Sequence, residues 1–125
     1  YRRGIVRISG SEYTPPEGVA VPGLMSDFAV WLNGEACSLS AVERAALAHF
    51  HLAHIHPFAD GNGRTARLLM NLILLQDGYP PAVIHREDRL AYYTALDQAH
   101  EGNTDPFMIM VAEAVERSLD IFLAA

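Results

Sequence analysis

Cysteine is almost absent from this chain, because Cys37 stands alone among 125 residues. No disulfide can therefore form within the chain. Cations are also scarce, since nine lysine and arginine residues against fifteen aspartates and glutamates give a formal net charge of −6. Contact with a nucleic-acid backbone requires clustered cations, so we expect no nucleic-acid partner.

Long apolar runs are missing as well. The longest, residues 72–75 with residues 68–70 just before it, is interrupted by Asn71 and is far shorter than the roughly 20 residues that a bilayer span needs. No signal-peptide pattern is present, so we expect no membrane contact from this segment. The chain opens on Tyr1 instead of Met, and we expect it to be a piece of a longer protein. The compartment is left open, with the cytoplasm expected for a bacterial source.

The remaining composition is that of one ordered domain. Hydrophobic residues make up 50% and charged residues 19% of the chain, which excludes a disordered tract and allows a single core. Residues 1–14 are predicted to form a short β-hairpin, because residues 5–8 alternate and the turn at residues 9–11 precedes a possible return strand. Residues 22–125 are predicted to form a helical core, so the fold class is mostly α.

Five helices are predicted from apolar spacing and end signals. Their expected spans are residues 22–34, 41–55, 64–77, 87–99 and 105 onwards. Ser40 and Glu43 form a capping box for the second, and Asp105 is expected to cap the fifth. The third is apolar on nearly all faces and is expected to be the buried central helix. The residues expected to face the core from the fifth are Phe107, Ile109, Val111, Val115, Leu119 and Phe122.

Chemistry is concentrated in the twelve residues from His56 to Arg67, which read HPFADGNGRTAR. They lie at the start of the third predicted helix, where unpaired backbone N–H groups and the helix dipole favour an anion. Gly61 and Gly63 lack a Cβ, so the backbone can turn its N–H groups onto a ligand. The sequence therefore predicts a phosphate-binding loop.

The side chains of this loop suit the same ligand. Asn62 can donate to the anion, and Arg64 and Arg67 can hold phosphate oxygens bidentately from one face of a helix. Asp60 offers the carboxylate oxygens that Mg²⁺ prefers. His56 is the group of this loop that titrates near neutrality, so it is the candidate proton acceptor.

A zinc site is the competing interpretation of a histidine cluster. His49, His51, His54 and His56 lie close together in the sequence. Only His51 and His54 share a helix face, they are three residues apart instead of four, and no nearby cysteine completes a ligand set. Core or surface roles are therefore favoured for His49, His51 and His54.

The twelve-residue segment matches the pattern His-x-Phe-x-Asp/Glu-Gly-Asn-Gly-Arg-x-x-Arg at every fixed position. It thereby resembles the signature of the Fic domain, a family of nucleotide-dependent protein AMP-transferases. The resemblance extends to residues 45–50, 68–74, 78–81, 92–93 and 101–102, and it covers nearly the whole chain. Metazoan Fic enzymes of the endoplasmic reticulum and their bacterial relatives are the most similar members. A Fic-type helical domain over residues 1–125 is implied.

The resemblance implies transfer of AMP from ATP to a Ser, Thr or Tyr hydroxyl of a target protein, with Mg²⁺ or Mn²⁺ and release of pyrophosphate. His56 would then be the catalytic base and Asp60 the metal ligand. The implied nucleotide-binding residues are Gly61, Asn62, Gly63, Arg64, Thr65, Arg67, Tyr92, Tyr93 and His100. Gly63-Arg64 stands where the Doc-like kinases have Lys-Arg, which favours nucleotidyl transfer over phosphorylation. A homodimer is a further expectation.

Two other segments acquire a role by the same resemblance. Gly10, Ser11, Glu12 and Tyr13 correspond to the Fic flap, which aligns a target segment as an added strand. His100 replaces an Asn that contacts the nucleoside in the relatives, so the base preference is left open. The alternatives are a regulatory module that holds a nucleotide without turnover, and a transferase that uses another NTP or a diphosphate-linked donor.

Overall fold

The computed structural model of the chain describes residues 1–124 and is mostly α, as the sequence predicts. Its helices are α1 (Val21–Asn33), α2 (Ala41–Ile55), α3 (Asn62–Gln76), α4 (Arg89–His100) and α5 (Asp105–Ala124). Short 3₁₀ turns occupy Gly18–Ala20, Glu35–Ser38 and Arg86–Asp88. No helix in this part of the chain has both the length and the apolarity to cross a membrane.

Helix α2 is the centre of the core. It packs against α1, α3, α4 and α5. Its start is the predicted cap, because the Glu43 N–H donates to Ser40 Oγ at 3.3 Å and the Ser40 hydroxyl donates to the Glu43 carboxylate at 2.8 Å. Small buried residues such as Ala45 and Ala48 let the neighbouring helices approach closely, and α2 therefore fixes where the loop after it lies.

Helix α3 is not buried on nearly all faces, so this part of the prediction is wrong. Ala66, Met70 and Leu74 are fully buried, whereas Leu68 is 72% exposed and Leu72 is 52% exposed. Among the described residues α2 is the main helix packed against α3, and it covers one face only. An apolar composition alone does not show how many faces of a helix find a partner.

The predicted core face of α5 is right in part. Phe107 and Val111 are buried, but Ile109 is 57% exposed and Phe122 is 77% exposed. Ile109 lies two residues from each buried neighbour, about 200° around the helix, so it cannot share their face. Helix α5 begins at residue 105, as expected, but Asp105 is its first residue and not a cap that lies outside the helix.

The structure does not show the predicted β-hairpin, since residues 1–124 contain no strand. Its turn does form, because the Ser11 N–H donates to the Ile8 carbonyl at 3.2 Å and Gly10 has φ +81°. The two arms are held by the helices instead of by each other. The Arg2 N–H donates to the carbonyl of Pro57, just beyond the end of α2, at 2.9 Å. The Tyr13 hydroxyl donates to the carbonyl of His54, in the last turn of α2, at 2.7 Å.

Candidate functional site

His56 ends α2 in a left-handed conformation. Its φ of +51° and ψ of +60° make it the one non-glycine residue with positive φ in residues 1–124. Its N–H closes the helix by donating to the Leu52 carbonyl at 2.9 Å. A non-glycine residue in this region costs about 1–3 kcal/mol, and such strain is concentrated at functional sites. The turn also places the imidazole at the mouth of the cleft described below.

A buried arginine holds this end of α2. Arg2 is 6% exposed, and its guanidinium donates to four backbone carbonyls, those of Gly4 at 2.8 Å, Pro16 at 2.6 Å, Ile55 at 3.1 Å and His56. No carboxylate within residues 1–124 pairs with it. Its charge lies at the C-terminus of α2, where the helix dipole stabilises a cation.

The protonation of His56 follows from these surroundings. Burial lowers its pKa below the ordinary 6.5, the charge of Arg2 lowers it further, and a backbone hydrogen bond with Ala53 opposes both effects. The neutral form is therefore favoured at pH 7, and a neutral imidazole can accept a proton.

Asn62 closes the loop between α2 and α3. It is 4% exposed, its Oδ1 accepts from the Phe58 N–H at 2.9 Å, and its Nδ2 donates to the Phe58 carbonyl at 2.8 Å. The side chain predicted to donate to an anion is thus already paired with the loop backbone. The Asn62 main-chain N–H, in the first turn of α3, belongs to the groups that lack an intrahelical acceptor.

Gly61 caps α3 with φ +79°. Its carbonyl accepts from both the Thr65 hydroxyl at 2.8 Å and the Thr65 N–H at 2.9 Å, so the Thr65 hydroxyl is occupied within the helix. The Gly61 N–H donates to Asp60 Oδ1 at 2.8 Å. The Asp60 side chain is 94% exposed, with the Arg64 guanidinium 3.7 Å away. Both charged groups are therefore accessible to a ligand.

Arg67 is supported by a chain of polar groups from the core. Its Nη1 donates to the Tyr92 hydroxyl at 3.4 Å, and that hydroxyl lies 2.7 Å from His49 Nε2. Burial and the charge of Arg67 lower the pKa of His49 to about 3, so the neutral ring accepts from Tyr92. A Cβ at Gly63 would stand 3.1 Å from Arg67 Nη1, so a side chain at this position would require the guanidinium to shift.

His49 is one of the residues that sequence reasoning missed as part of the site. The expected core or surface role is confirmed as a core role, since His49 is fully buried. Its Nδ1 has no hydrogen-bond partner among the described residues, a costly arrangement for a buried polar atom. Its link to Arg67 runs through Tyr92 on another helix, and no local pattern in the sequence signals such a contact.

Three cavities meet at Arg67 and Tyr93. The inner cleft, about 160 Å³, also contacts His56, Asn62, Gly63, Tyr92, Leu96 and His100. The loop cleft, about 300 Å³, also contacts His56, Asp60, Gly61, Asn62, Gly63 and Arg64. The arginine cleft, about 190 Å³, also contacts Ile84, His85, Arg86, Arg89 and Tyr92. Ten of the eleven residues predicted for catalysis, nucleotide binding and the metal line the inner and loop clefts, and the eleventh, Thr65, lines neither.

The predicted flap residues border this region. Ser11 lines the inner cleft, and its hydroxyl donates to the Asp97 carboxylate at 2.6 Å. Gly10, Glu12 and Tyr13 line a neighbouring cleft of about 430 Å³. The segment therefore lies at the rim of the site although it is not paired as a hairpin.

The Tyr13 ring attaches this segment to the helices. It stacks on His100 with centroids 3.8 Å apart and planes 8° apart, and His100 Nδ1 lies 2.9 Å from His54 Nδ1. Burial raises the pKa of Tyr13 to about 12. Burial, and then the neighbouring His54, lower the pKa of His100 to about 4. The stack is therefore neutral at pH 7.

Asp60 is the protein group that suits a cation here. Within residues 1–124 no three His, Cys, Asp or Glu side chains come together as a ligand set. Mg²⁺ is usually held by one or two carboxylates together with substrate phosphates. An exposed carboxylate beside a helix N-terminus fits that kind of shared site, in which a phosphate supplies further oxygens.

The helical core carries a strained histidine and a glycine loop at a helix N-terminus, an arrangement whose geometry suits an anion such as phosphate. A Fic/DOC family model matches residues 1–74. The chain therefore belongs to the Fic/DOC family.

Relatives of known name resemble the whole chain. Protein adenylyltransferase Fic of Drosophila virilis is 47% identical over 126 residues, which is 100% of this chain and 26% of that protein. The Aedes aegypti protein of the same name is 45% identical, over 100% of this chain and 25% of its own length. The chain thus spans about a quarter of the length of the curated relatives it matches.

Solved structures show the same fold. Fic-1 of C. elegans has a TM-score of 0.83 at 39% identity, over 97% of this chain and 36% of that one. A Fic domain containing signaling protein of Bacteroides thetaiotaomicron has a TM-score of 0.82 at 34% identity, over 95% of this chain and 51% of that one.

Proposed function

We propose that this chain transfers AMP from MgATP to a Ser, Thr or Tyr hydroxyl of a target protein and releases pyrophosphate. One observation carries the proposal: His56, whose pKa is lowered, borders the same cleft as the glycine loop and Arg67. The names of the Drosophila and Aedes relatives, protein adenylyltransferase, support it.

The loop cleft would receive the phosphates. Backbone N–H groups at the start of α3 would donate to the phosphate oxygens, and Arg64 and Arg67 would add guanidinium donors. Asp60 would hold Mg²⁺ or Mn²⁺, which when bound neutralises charge on the phosphate oxygens. Asn62 contributes by keeping the loop closed through Phe58, and Thr65 by bonding the Gly61 carbonyl.

His56 would act as the general base. Its imidazole takes the proton of the target hydroxyl as that oxygen bonds to the α-phosphorus. The bond from the α-phosphorus to the oxygen that bridges to the β-phosphate breaks, and pyrophosphate departs with the electron pair. The helix N–H groups and Arg67 stabilise the charge that develops on the phosphate oxygens.

The inner cleft would receive the nucleoside. Tyr92, Tyr93 and Leu96 offer aromatic and apolar surface to a base, while His100 is already stacked on Tyr13 and paired with His54. We therefore expect His100 to shape the cleft wall. Labelling with each of the four α-labelled nucleoside triphosphates tests the base: equal labelling by all four would contradict an adenine preference while leaving transfer intact.

The flap would align the target. The turn at Ile8 and Ser11 is fixed to the site through Asp97, and residues 5–8 pair with no strand among residues 1–124. Their backbone groups are thus open to a target segment that adds as a strand. The position of Gly10, Ser11, Glu12 and Tyr13 at the rim supports the flap role.

ATP labelled at the α-phosphate in one sample and at the γ-phosphate in another tests the activity. Label on protein is expected from the α position alone. His56→Ala should lower the rate by about 10²- to 10⁴-fold, the usual contribution of a general base, while calorimetry shows ATP binding nearly intact. His51→Ala, which alters a histidine packed on Trp31, is the matched control. Label on protein from the γ-phosphate would contradict AMP transfer and would indicate phosphorylation instead.

A further inference from the structure

The arginine cleft shares Arg67, Tyr92 and Tyr93 with the inner cleft, and none of the steps described above uses it. Arg67, Arg86 and Arg89 converge on it, so three of the nine cations of a chain with net charge −6 share one cavity. The ion pairs among residues 1–124 join Arg44 to Asp77, Arg64 to Asp60 and Arg117 to Asp88. None of the three cleft arginines is neutralised by a carboxylate of the described chain.

The cleft is held in shape by the loop that connects α3 to α4. The Ala82 N–H donates to Asn71 Oδ1 at 2.9 Å, which ties the loop to α3. The Ser118 hydroxyl donates to the Pro81 carbonyl at 2.6 Å, which ties the same loop to α5. Arg117 also lies 3.5 Å from Asp88. The segment that carries two of the cleft arginines is thus anchored on both sides, and the guanidinium groups are gathered before any ligand binds.

We propose that the arginine cleft is a second anion subsite that binds the terminal phosphates of an oligophosphate, whether a longer nucleotide tail or the released pyrophosphate. The inference rests on the proposed function for the location of the first phosphates in the loop cleft. Arg67 and Tyr93 line both clefts, so a phosphate chain that passes Arg67 enters the arginine cleft next. Guanidinium groups match phosphate oxygens in geometry as well as in charge.

Calorimetry with inorganic pyrophosphate and inorganic tripolyphosphate tests the subsite without any transfer step. Arg86→Gln and Arg89→Gln should each weaken tripolyphosphate binding by about 10-fold or more, the effect of losing one charge-assisted contact. Arg44→Gln is the matched control, because it also removes one arginine charge but lies away from the cleft. Arg44 belongs to α2 and pairs with Asp77, which follows the C-terminal end of α3. Equal affinities of the parent, the Arg86 and the Arg89 variants would overturn the proposal.

The number of phosphate groups on the nucleotide provides a second test. Adenosine tetraphosphate should bind the parent chain more tightly than ATP does, and this preference should disappear in Arg89→Gln. A preference that persists in this variant would also overturn the proposal. Arg86 and Arg89 are exposed, so both variants are expected to fold, and thermal melting checks it.

The two hypotheses fail differently. Absence of AMP transfer, with the tripolyphosphate affinities ordered as expected, would refute the proposed function and leave the subsite standing. Normal AMP transfer with tripolyphosphate affinities unaffected by the substitutions would refute the subsite and leave the proposed function standing.

Discussion

The Nε of Arg2 donates a hydrogen bond to the backbone carbonyl of His56, 54 positions away in the sequence. The same guanidinium lowers the pKa of the His56 imidazole through its charge. One buried side chain therefore helps to hold the proposed base in position and, after burial, adds to the lowering of its pKa.

We predict that Arg2→Met moves the acid limb of the AMP-transfer rate to higher pH. The base works in its neutral form, so the rate falls as pH drops through the pKa of His56. Removing the charge of Arg2 removes one of the two effects that lower this pKa. Arg2→Lys keeps the charge and should keep the limb near its original position. AMP-transfer rates of the parent, Arg2→Met and Arg2→Lys are measured between pH 5 and 8. An acid limb that does not move in Arg2→Met would refute the effect of the Arg2 charge on His56.

Arg2→Met should also destabilise the fold by about 2 to 4 kcal/mol, because buried carbonyls lose their donors. Urea unfolding at pH 7 measures this change, and the rate profiles are recorded below the melting temperature of each variant. A loss of stability below 1 kcal/mol would contradict the anchoring role of Arg2.

We predict that Asn62→Ala weakens ATP binding without removing a direct ligand contact of the side chain. Both polar atoms of the Phe58 backbone lose their partner, at a cost of about 1–3 kcal/mol in stability. The loop then no longer holds its N–H groups toward the phosphates. Calorimetry with ATP and thermal melting test the two effects together. Thr65→Val is the comparison, since the Gly61 carbonyl keeps the Thr65 N–H, and it should lose less stability than Asn62→Ala.

We predict that Tyr92→Phe lowers both stability and ATP affinity. His49 Nε2 loses its donor in a fully buried position, which costs about 1–3 kcal/mol, and Arg67 loses the acceptor that orients it. Tyr79→Phe alters a tyrosine that is 39% exposed and should change the melting temperature little. If the Tyr92→Phe variant binds ATP with the affinity of the parent, the hydrogen bonds that link Arg67 through Tyr92 to His49 have no part in ATP binding.

We predict that the fold loses stability as pH falls from 6.5 toward 4. The pKa of His49 is lowered to about 3 and that of His100 to about 4, while both are near 6.5 in the unfolded chain. Above pH 6.5 neither state binds these protons. Below it the unfolded chain binds more of them, so the free energy of unfolding decreases with decreasing pH. Urea titrations at pH 7, 6 and 5 should show a shallower decrease for His100→Asn than for the parent.

The sequence predicts best what local signals determine. Ser40 and Glu43 mark the start of α2, and the glycine loop marks the start of α3, because capping and left-handed glycines are decided within a few residues. The residues of segment 56–67 that line the clefts are predictable for the same reason. Their spacing along one short loop leaves little freedom in where they lie.

Contacts between distant segments account for what the sequence did not predict. The role of Arg2 depends on carbonyls 53 and 54 positions away, and that of His49 on a hydroxyl 43 positions away. The exposed face of α3 is set by the number of helices that pack on it, which its apolar composition does not reveal. The missing hairpin has a similar origin, since side chains of both arms bond to the end of α2 and the arms do not pair with each other.

The left-handed backbone of His56 has an evolutionary consequence. Glycine adopts this conformation without strain, so His56→Gly should relieve about 1 kcal/mol while it eliminates the proposed base. Loss of chemistry at this position would thus come with a gain in stability. Folding stability alone therefore does not favour histidine at this position, and the proposed base would be kept at the expense of stability.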